Sequence, residues 1–366
     1  MHNNAMTAIA LPHRGYHGPR GTQRFFEGWY YRLSLPEIGE SFATIYSIED
    51  PHGGSPFSQG AVQVLGRLGL LVETFPQVAD FWGDQERLAF GHTRSSAAPI
   101  REALDPSDFW VRIHTGYQAT DRLNQGRIIT PEGKSVVWEY TIEPVIGWGR
   151  NQATMGHLSY LPVYEVGWQV SLAHGWAAGY LQWEEVTYSF TRAPVYIEKN
   201  WSLGFPEIWF WLQCNSFTIH QGAPDVNLTV TSGGGVRRTL IWEDEQAMVG
   251  LHYQGRFYDF RAETGTVRWS ARVDRTGAGL WQVWGYADGY EIEIEARSVQ
   301  IHSLLGPSEN ETLHPISLQS LTGDLTLRLY RGRYPGNRLI LEARSGLAAV
   351  EAGGDGWTGS WEGTCG

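Results

Sequence analysis

Phe25-Phe26-Glu27-Gly28-Trp29-Tyr30-Tyr31-Arg32-Leu33-Ser34-Leu35 is the stretch on which the fold turns. Its side chains alternate as those of an extended strand do: Phe25, Glu27, Trp29, Tyr31 and Leu33 share one face, and Phe26, Gly28, Tyr30 and Arg32 the other. Arg32 is expected to face water, which turns Glu27, Trp29 and Tyr31 inward. Pro36 and Gly39 then reverse the chain, and Ser41 to Asp50 returns as a second strand ending in the turn Asp50-Pro51-His52-Gly53-Gly54. Gly60 to Gly66 (GAVQVLG) is a third strand, with Gln63 as its one polar side chain.

The same rhythm runs on in both directions. Residues 1–23 are rich in Gly, His and Pro and read as an irregular lead-in. Glu73 to Trp82 is among the few segments with helical spacing. Strands are expected at Trp110 to His114, Gly126 to Thr130, Ser135 to Ile142, Trp168 to Leu172, Gly175 to Trp183, Glu185 to Phe190 and Tyr196 to Trp201. Ile208 to Phe217 (IWFWLQCNSF) is nearly continuous apolar, as in a strand buried on both faces. Pro224 to Gly235 reads as a strand running into a Gly-rich turn (TSGGG). Further strands follow at Val267 to Val273, Leu280 to Tyr286, Tyr290 to Arg297, Leu325 to Tyr330 and Leu339 to Glu342, and Gly346 to Gly366 is Gly-rich and ragged. Short strands at roughly 8–12-residue spacing with almost no helix define an all-β protein, and 366 residues fit two barrels better than one. The expected division is 1–190 and 191–366.

Composition narrows the partners. Trp 17, Tyr 17 and Phe 14 make aromatics 13% of the chain, while charged residues reach only 18%. Such a balance suits an interior lined with rings, either a pocket for a large apolar ligand or simply an aromatic core. The net charge of −11 and the lack of a basic block argue against a nucleic-acid partner. Cys214 and Cys365 lie far apart, which gives neither a disulfide framework nor a CxxC site, and the scattered histidines show no HxH or HExxH spacing. No metal is expected. Met1 to Leu11 does not read as a secretory signal, and no window reaches ~18 consecutive apolar residues. The expectation is an intracellular protein, soluble or peripheral to a membrane, with no obligate protein partner.

One stretch carries chemistry. In Pro194-Val195-Tyr196-Ile197-Glu198-Lys199-Asn200-Trp201, a strand puts Tyr196, Glu198 and Asn200 on one face and Ile197, Lys199 and Trp201 on the other. Lysine is otherwise almost absent, Lys134 being the only other one in the chain. The residues alone favour a structural role, an edge-strand ion pair or a glutamate satisfied by backbone amides, over a buried acid beside a tyrosine.

Several runs resemble the tocopherol cyclase family. They are Gly15-Tyr16-His17, Arg24 to Tyr31, Ser41-Phe42-Ala43, Tyr46 to Pro51, Gly60 to Gly66, Trp138 and Gly147-Trp148-Gly149. Tyr196 with Glu198 to Trp201, Phe205-Pro206, Trp209 to Gln213 and Gly346 to Gly354 complete the pattern in order. The likeness spans roughly residues 12–356 and is looser over Asn151 to Leu161 and around Gly175-Trp176. It implies two lipocalin-like antiparallel barrels side by side. The implied reaction is cofactor-independent closure of a phytyl-hydroquinone to a chromanol: a proton adds to the prenyl double bond and the phenol oxygen captures the tertiary cation.

On that reading Glu198 is the proton donor, with Tyr196 and Asn200 as its same-face company. The family's relationship to carotenoid hydratases, which carry a similar Tyr-x-acid segment, picks out the same residue. Glu27 is a candidate to orient or deprotonate the phenol, or else a loop anchor. Trp29, Tyr31, Trp201, Trp209 and Trp211 are candidates to line the substrate pocket, with core packing as the competing role. Gln63 and Asp50 are further candidate contacts, Asp50 having a turn-forming role as its alternative, and His17 is placed at the pocket mouth. A hydratase acting on an isoprenoid and a non-catalytic lipid carrier remain alternatives. The substrate lives in lipid, so peripheral contact with a membrane, of thylakoid type, is expected.

Overall fold

The computed structural model describes residues 12–18, 25–94, 100–149, 151–156, 159, 166–202, 205–238, 243–274, 278–298, 300–307, 313–354 and 356–366. Most of the expected lead-in, Arg24, and residues 157, 158, 160 and 161 of the looser stretch lie outside them. The described chain is nearly all β. The first sheet contains β1 (Phe26–Leu35), β2 (Glu40–Glu49), β3 (Gln59–Gly66), β4 (Gly69–Phe75), β5 (Phe81–Gly83) and β6 (Ala89–Thr93). After helix α1 (Pro106–Arg112) it continues with β7 (Gly116–Thr120), β8 (Leu123–Ile129), β9 (Ser135–Ile146), β10 (Val166–Trp183) and β11 (Val186–Ser202). The second sheet begins with β12 (Trp209–Cys214), β13 (Thr218–Gln221), β14 (Thr229–Arg238), β15 (Glu243–Tyr253), β16 (Arg256–Arg261) and β17 (Gly265–Val273). It closes with β18 (Gly279–Ala287), β19 (Tyr290–Ser298), β20 (His302–Gly306), β21 (His314–Arg331), β22 (Arg338–Gly353) and β23 (Ser360–Cys365).

Neighbours in the first sheet run β4-β3-β2-β1-β11-β10-β9-β8-β7-β6-β5. The sheet curls until its edges meet: Phe75 of β4 stacks on His92 of β6 at 4.8 Å, and Arg94 donates to the Thr74 carbonyl at 3.0 Å and pairs with Glu73. The second sheet runs β16-β15-β14-β12-β22-β21-β19-β18-β17-β23, with β13 on β22 and β20 on β21. Phe210 of β12 and Trp269 of β17, distant in that order, stack at 4.4 Å across its interior. Each barrel fills its own core, one around Trp29, Tyr31, Phe90 and Trp138, the other around Phe210, Trp269 and Trp281. A third cluster, with Tyr30, Trp148, Tyr196, Trp211 and Leu321, joins the barrels along a seam. At about 1.5–3 kcal/mol for each large apolar side chain removed from water, this seam is a substantial part of the stability.

Several sequence expectations need correction. Arg32 is fully buried, not in water, because the outer face of β1 packs on the second barrel. Glu73 to Trp82 is no helix: β4 alternates with Leu71, Glu73 and Phe75 buried, and only the single 3-10 turn Val78–Asp80 separates it from β5. The strand expected at Trp110 to His114 is the end of α1, started by Asp105, whose carboxylate accepts from the Ser107 amide at 3.1 Å, and by Pro106 in the first turn. The Gly-rich turn expected near Gly235 is the interior of β14, where Gly233 lets the Trp168 ring lie against the backbone. Gly346 to Gly366 is not ragged, since β22 and β23 occupy most of it. The pairs of short strands expected on either side of Gly175 and of Pro194 are each one long strand, bent in β10 by register shifts near Leu172 and Gly179. The two sheets divide between Ser202 and Trp209; a division after residue 190 cuts through β11.

Candidate active site

β11 lies between β1 and β10, and its register sorts the candidates. On the barrel face Glu27 stands opposite Trp201, Trp29 opposite Lys199 and Tyr31 opposite Ile197. On the seam face Tyr30 stands opposite Glu198 and Arg32 opposite Tyr196. The alternation read from the sequence is correct, but it assigns the two glutamates to different compartments.

In the seam, one oxygen of Glu198 collects three donors. Oε2 accepts from the Tyr196 hydroxyl at 2.6 Å, the Trp168 indole N–H at 2.8 Å and the Trp211 indole N–H at 3.1 Å. Among the described residues Oε1 has no protein partner. The side chain is 6% exposed, and burial drives its carboxyl up to about 7. The hydrogen bonds from Tyr196 and Trp168 oppose that rise, the negative charge of Glu351 adds to it, and Trp211 opposes it. Desolvation wins, so a proton is available near neutral pH.

Glu351 is the second buried carboxyl of the seam, and it comes from the other barrel. It lies on β22, opposite Trp211 on one side and Gln319 on the other. Its Oε1 accepts from the Trp209 indole at 3.0 Å and its Oε2 from the Gln319 amide at 2.8 Å. Burial raises its carboxyl as well. Trp209 and Trp211 are two residues apart on one face of β12, roughly 6.6 Å along the strand, so a single strand serves both carboxyls. Tyr30 stands between them, its ring edge-on to Trp211 at 5.4 Å and its hydroxyl 3.5 Å from the Gln319 side-chain oxygen. Trp168, Asn200, Trp209 and Glu351 lie where the two barrels face each other and are partly exposed.

The remaining candidates lie elsewhere. Glu27 is inside the first barrel, 2.5 Å from the Lys199 ammonium, and accepts from the His17 amide at 2.9 Å. Burial raises the Glu27 carboxyl, but Lys199 and His17 outweigh that effect and hold it below the usual range. Lys199 also donates to the Gly15 carbonyl at 2.6 Å, and His17 stacks on Trp201 at 4.0 Å, so this group fastens the N-terminal segment to the barrel. Trp29 stacks on Phe90 at 4.1 Å and Tyr31 donates to the Thr120 carbonyl at 2.9 Å, both within the barrel core. Gln63 is a clamp between barrels, donating to the Leu305 carbonyl at 2.7 Å and accepting from its amide at 3.0 Å. Asp50, at φ 44°, accepts from Ser58 at 2.7 Å in its turn. Asn200 shares the seam face and is half-buried opposite Gly28 and Trp168.

Of the candidates, then, the seam assembles Glu198, Tyr196, Asn200, Trp209 and Trp211. It adds Trp168, Tyr30, Gln319 and Glu351, which sequence reasoning missed. Trp168 carried a signal in its position on an alternating strand after Gly167. Glu351 carried only its place in the family-like run Gly346 to Gly354, because its strand reads as small residues without a strand rhythm.

Comparison with known proteins gives the site its context. A family described as tocopherol cyclase-like matches residues 23–354. A protein named probable tocopherol cyclase, chloroplastic, from Oryza sativa subsp. japonica is 34% identical over 390 residues, spanning 98% of this chain and 81% of that one. The tocopherol cyclase, chloroplastic, of Zea mays is 33% identical over 389 residues, spanning 98% and 80%. Among solved structures, kievitone hydratase from Nectria haematococca superposes with a TM-score of 0.47 at 9% identity, covering 90% of this chain and 89% of that one. With the match running from the first strand to the end of β22, this chain belongs to the tocopherol cyclase-like family of enzymes.

Proposed function

We propose that this enzyme closes a prenylated hydroquinone, such as 2,3-dimethyl-6-phytyl-1,4-hydroquinone, to a chromanol, with Glu198 as the acid. The observation that carries the reading is the asymmetry of Glu198. Three donors hold Oε2, and Oε1 is left to carry a proton into the seam. The proton passes from Oε1 to the less substituted alkene carbon, and the tertiary carbon becomes cationic. The phenol oxygen then bonds to that carbon and its proton leaves, so substrate and product have the same atoms. Once Glu198 is ionised, the donors from Tyr196, Trp168 and Trp211 stabilise the new carboxylate, charge-assisted bonds being the strong ones. Ring faces of Trp168 and Trp211 near the cation contribute on the order of 0.5–2 kcal/mol each. Exclusion of water decides the product, because a captured water yields a tertiary alcohol.

The phytyl tail partitions into lipid, so in this reading the working enzyme sits peripheral to a membrane. The chloroplast named for the rice and maize relatives supports a thylakoid-type one. Among the described residues no helix is long and apolar enough to cross it. The test is incubation of the purified protein with the phytyl-hydroquinone under reducing conditions, with the product identified by mass and absorbance. Unchanged mass with a chromanol spectrum is the expected result. A gain of one water indicates hydration instead, and bound but unreacted quinol indicates a carrier.

A further inference from the structure

We infer that Glu351 is a second catalytic residue, the base that takes the phenol proton as the ring closes. The inference rests on the cyclisation reading and deepens it by giving the departing proton a destination. Ring closure breaks one O–H bond and forms one C–O bond, and the electron pair left by the proton becomes the pair of the new bond. The proton leaving the phenol oxygen needs an acceptor on the far side of the reacting atoms from Glu198, which has just become a carboxylate on the alkene side.

The geometry fits Glu351 to that part. It comes from the opposite barrel, so a substrate lying in the seam is flanked by Glu198 from one sheet and Glu351 from the other. Trp209 donates to one of its oxygens and Gln319 to the other, at 3.0 and 2.8 Å. A donor on each oxygen suits a carboxylate, which only accepts, whereas Glu198 has its donors on one oxygen and the other free. Two carboxyls with different hydrogen-bond surroundings, facing one reacting centre, are the arrangement in which acid and base roles separate. Glu27, the base candidate suggested by the sequence, is closed off in the first barrel by Lys199 and His17. The titratable groups facing Glu351 from the first barrel are Glu198 of β11 and Tyr30 of β1, while Arg32 of β1 is turned to Gln213 and the carbonyls of Leu321 and Leu347. At the end of a turnover Glu351 holds the phenol proton and Glu198 lacks one. Glu351 keeps partial exposure, so it can release its proton to solvent while Glu198 regains one, and the cycle closes without a further reactant.

The experiment compares wild type, Glu351→Gln and Glu351→Asp in pH–rate profiles for cyclisation of the phytyl-hydroquinone, with quinol binding followed by tryptophan fluorescence. The expected wild-type profile is a bell, its acid limb set by Glu351 and its alkaline limb by Glu198. Glu351→Gln should lower kcat by at least ~100-fold, leave binding within a few fold and abolish the acid limb, while the alkaline limb persists but moves to lower pH because the charge that raises Glu198 is gone. Glu351→Asp should restore part of the rate and the limb. A Glu351→Gln variant with an unchanged acid limb overturns the assignment, whatever its rate. Should that variant not fold, Gln319→Leu serves instead: losing a donor makes the carboxylate more basic and moves the acid limb to higher pH, and an immobile limb overturns the proposal. A wild type that binds the quinol without forming chromanol removes the cyclisation reading, and the inference with it.

Discussion

Glu198 and Lys199 are adjacent in the chain and occupy separate compartments. The carboxyl of Glu198 lies in the seam between barrels under three donors, and the ammonium of Lys199 lies inside the first barrel, 2.5 Å from Glu27. Both side chains are buried, so the separation matters electrostatically. A lysine within ion-pair reach of Glu198 pulls its carboxyl down and leaves it ionised at neutral pH. The strand's alternation instead commits Lys199 to another carboxylate, and burial then governs Glu198.

Activity should fall as pH rises through about 7, where Glu198 loses its proton. Glu198→Gln should retain quinol binding and lose at least ~100-fold in turnover, measured by chromanol formation. Turnover like that of wild type in this variant removes Glu198 as the acid.

The same carboxyl makes a stability prediction of definite sign. Its proton is held more tightly in the folded chain than in the unfolded one, where the carboxyl titrates near 4.5. Folding stability from this group is therefore fully present in acid and declines between about 4.5 and 7 as pH rises. At pH 8 the buried carboxylate costs roughly 3 kcal/mol relative to an exposed one. Glu198→Gln carries no charge, so it should melt higher than wild type at pH 8 and lose that advantage at pH 5. An equal difference in melting temperature at both pH values contradicts the burial argument.

Trp168→Phe removes one donor from Glu198 Oε2 while keeping a ring in place. That donor favours the charged form, so its loss should move the alkaline limb of the rate profile upward, by less than about one pH unit for a bond of ~1 kcal/mol. A limb that moves down, or does not move, shows that the Trp168 bond has no influence on the acid.

The buried pair in the first barrel calls for a double-mutant cycle. Lys199→Met leaves Glu27 without its cation and should cost about 3–5 kcal/mol in a denaturant melt. Lys199→Met combined with Glu27→Gln should recover much of that loss, because the uncompensated charge is gone. Additive losses in the double variant mean that the two groups do not depend on each other.

Much of the fold was legible because alternation is local. Phe26–Leu35 and Val186–Ser202 announce their faces residue by residue, but only the register between them puts Glu27 and Lys199 on one face of the sheet and Tyr30, Tyr196 and Glu198 on the other. What lies beyond each face was not legible. In an isolated barrel the outer face of β1 meets water, and Arg32 reads accordingly; here that face meets a second barrel some 180 residues away in sequence, where Gln213 receives it. Glu351 was hidden for a related reason. Of its neighbours, Ala349 faces the seam while Ala348, Val350 and Ala352 fill the core of the second barrel, so what the Glu351 face meets is another barrel that its own strand does not reveal.

Arg32 supplies the last prediction. From β1 it donates to the Gln213 side chain at 2.7 Å, to the Leu321 carbonyl at 3.2 Å and to the Leu347 carbonyl, so one side chain ties the first barrel to β12, to β21 and to β22. Arg32→Met keeps the apolar stem and strands three buried acceptors, each costing about 1–3 kcal/mol when left unmade. Arg32→Lys should rescue little, because an ammonium cannot reproduce the planar fork that reaches separated acceptors. The expected result is a marked fall in stability with loss of cooperativity: calorimetry should show one transition for wild type and a broadened or split one for Arg32→Met, as the barrels begin to unfold separately. Cyclisation should fall with it, since Glu198 and Glu351 face the same space only while the barrels are docked. A variant that melts in one sharp transition at the wild-type temperature shows that the seam is held by its apolar cluster and not by this guanidinium.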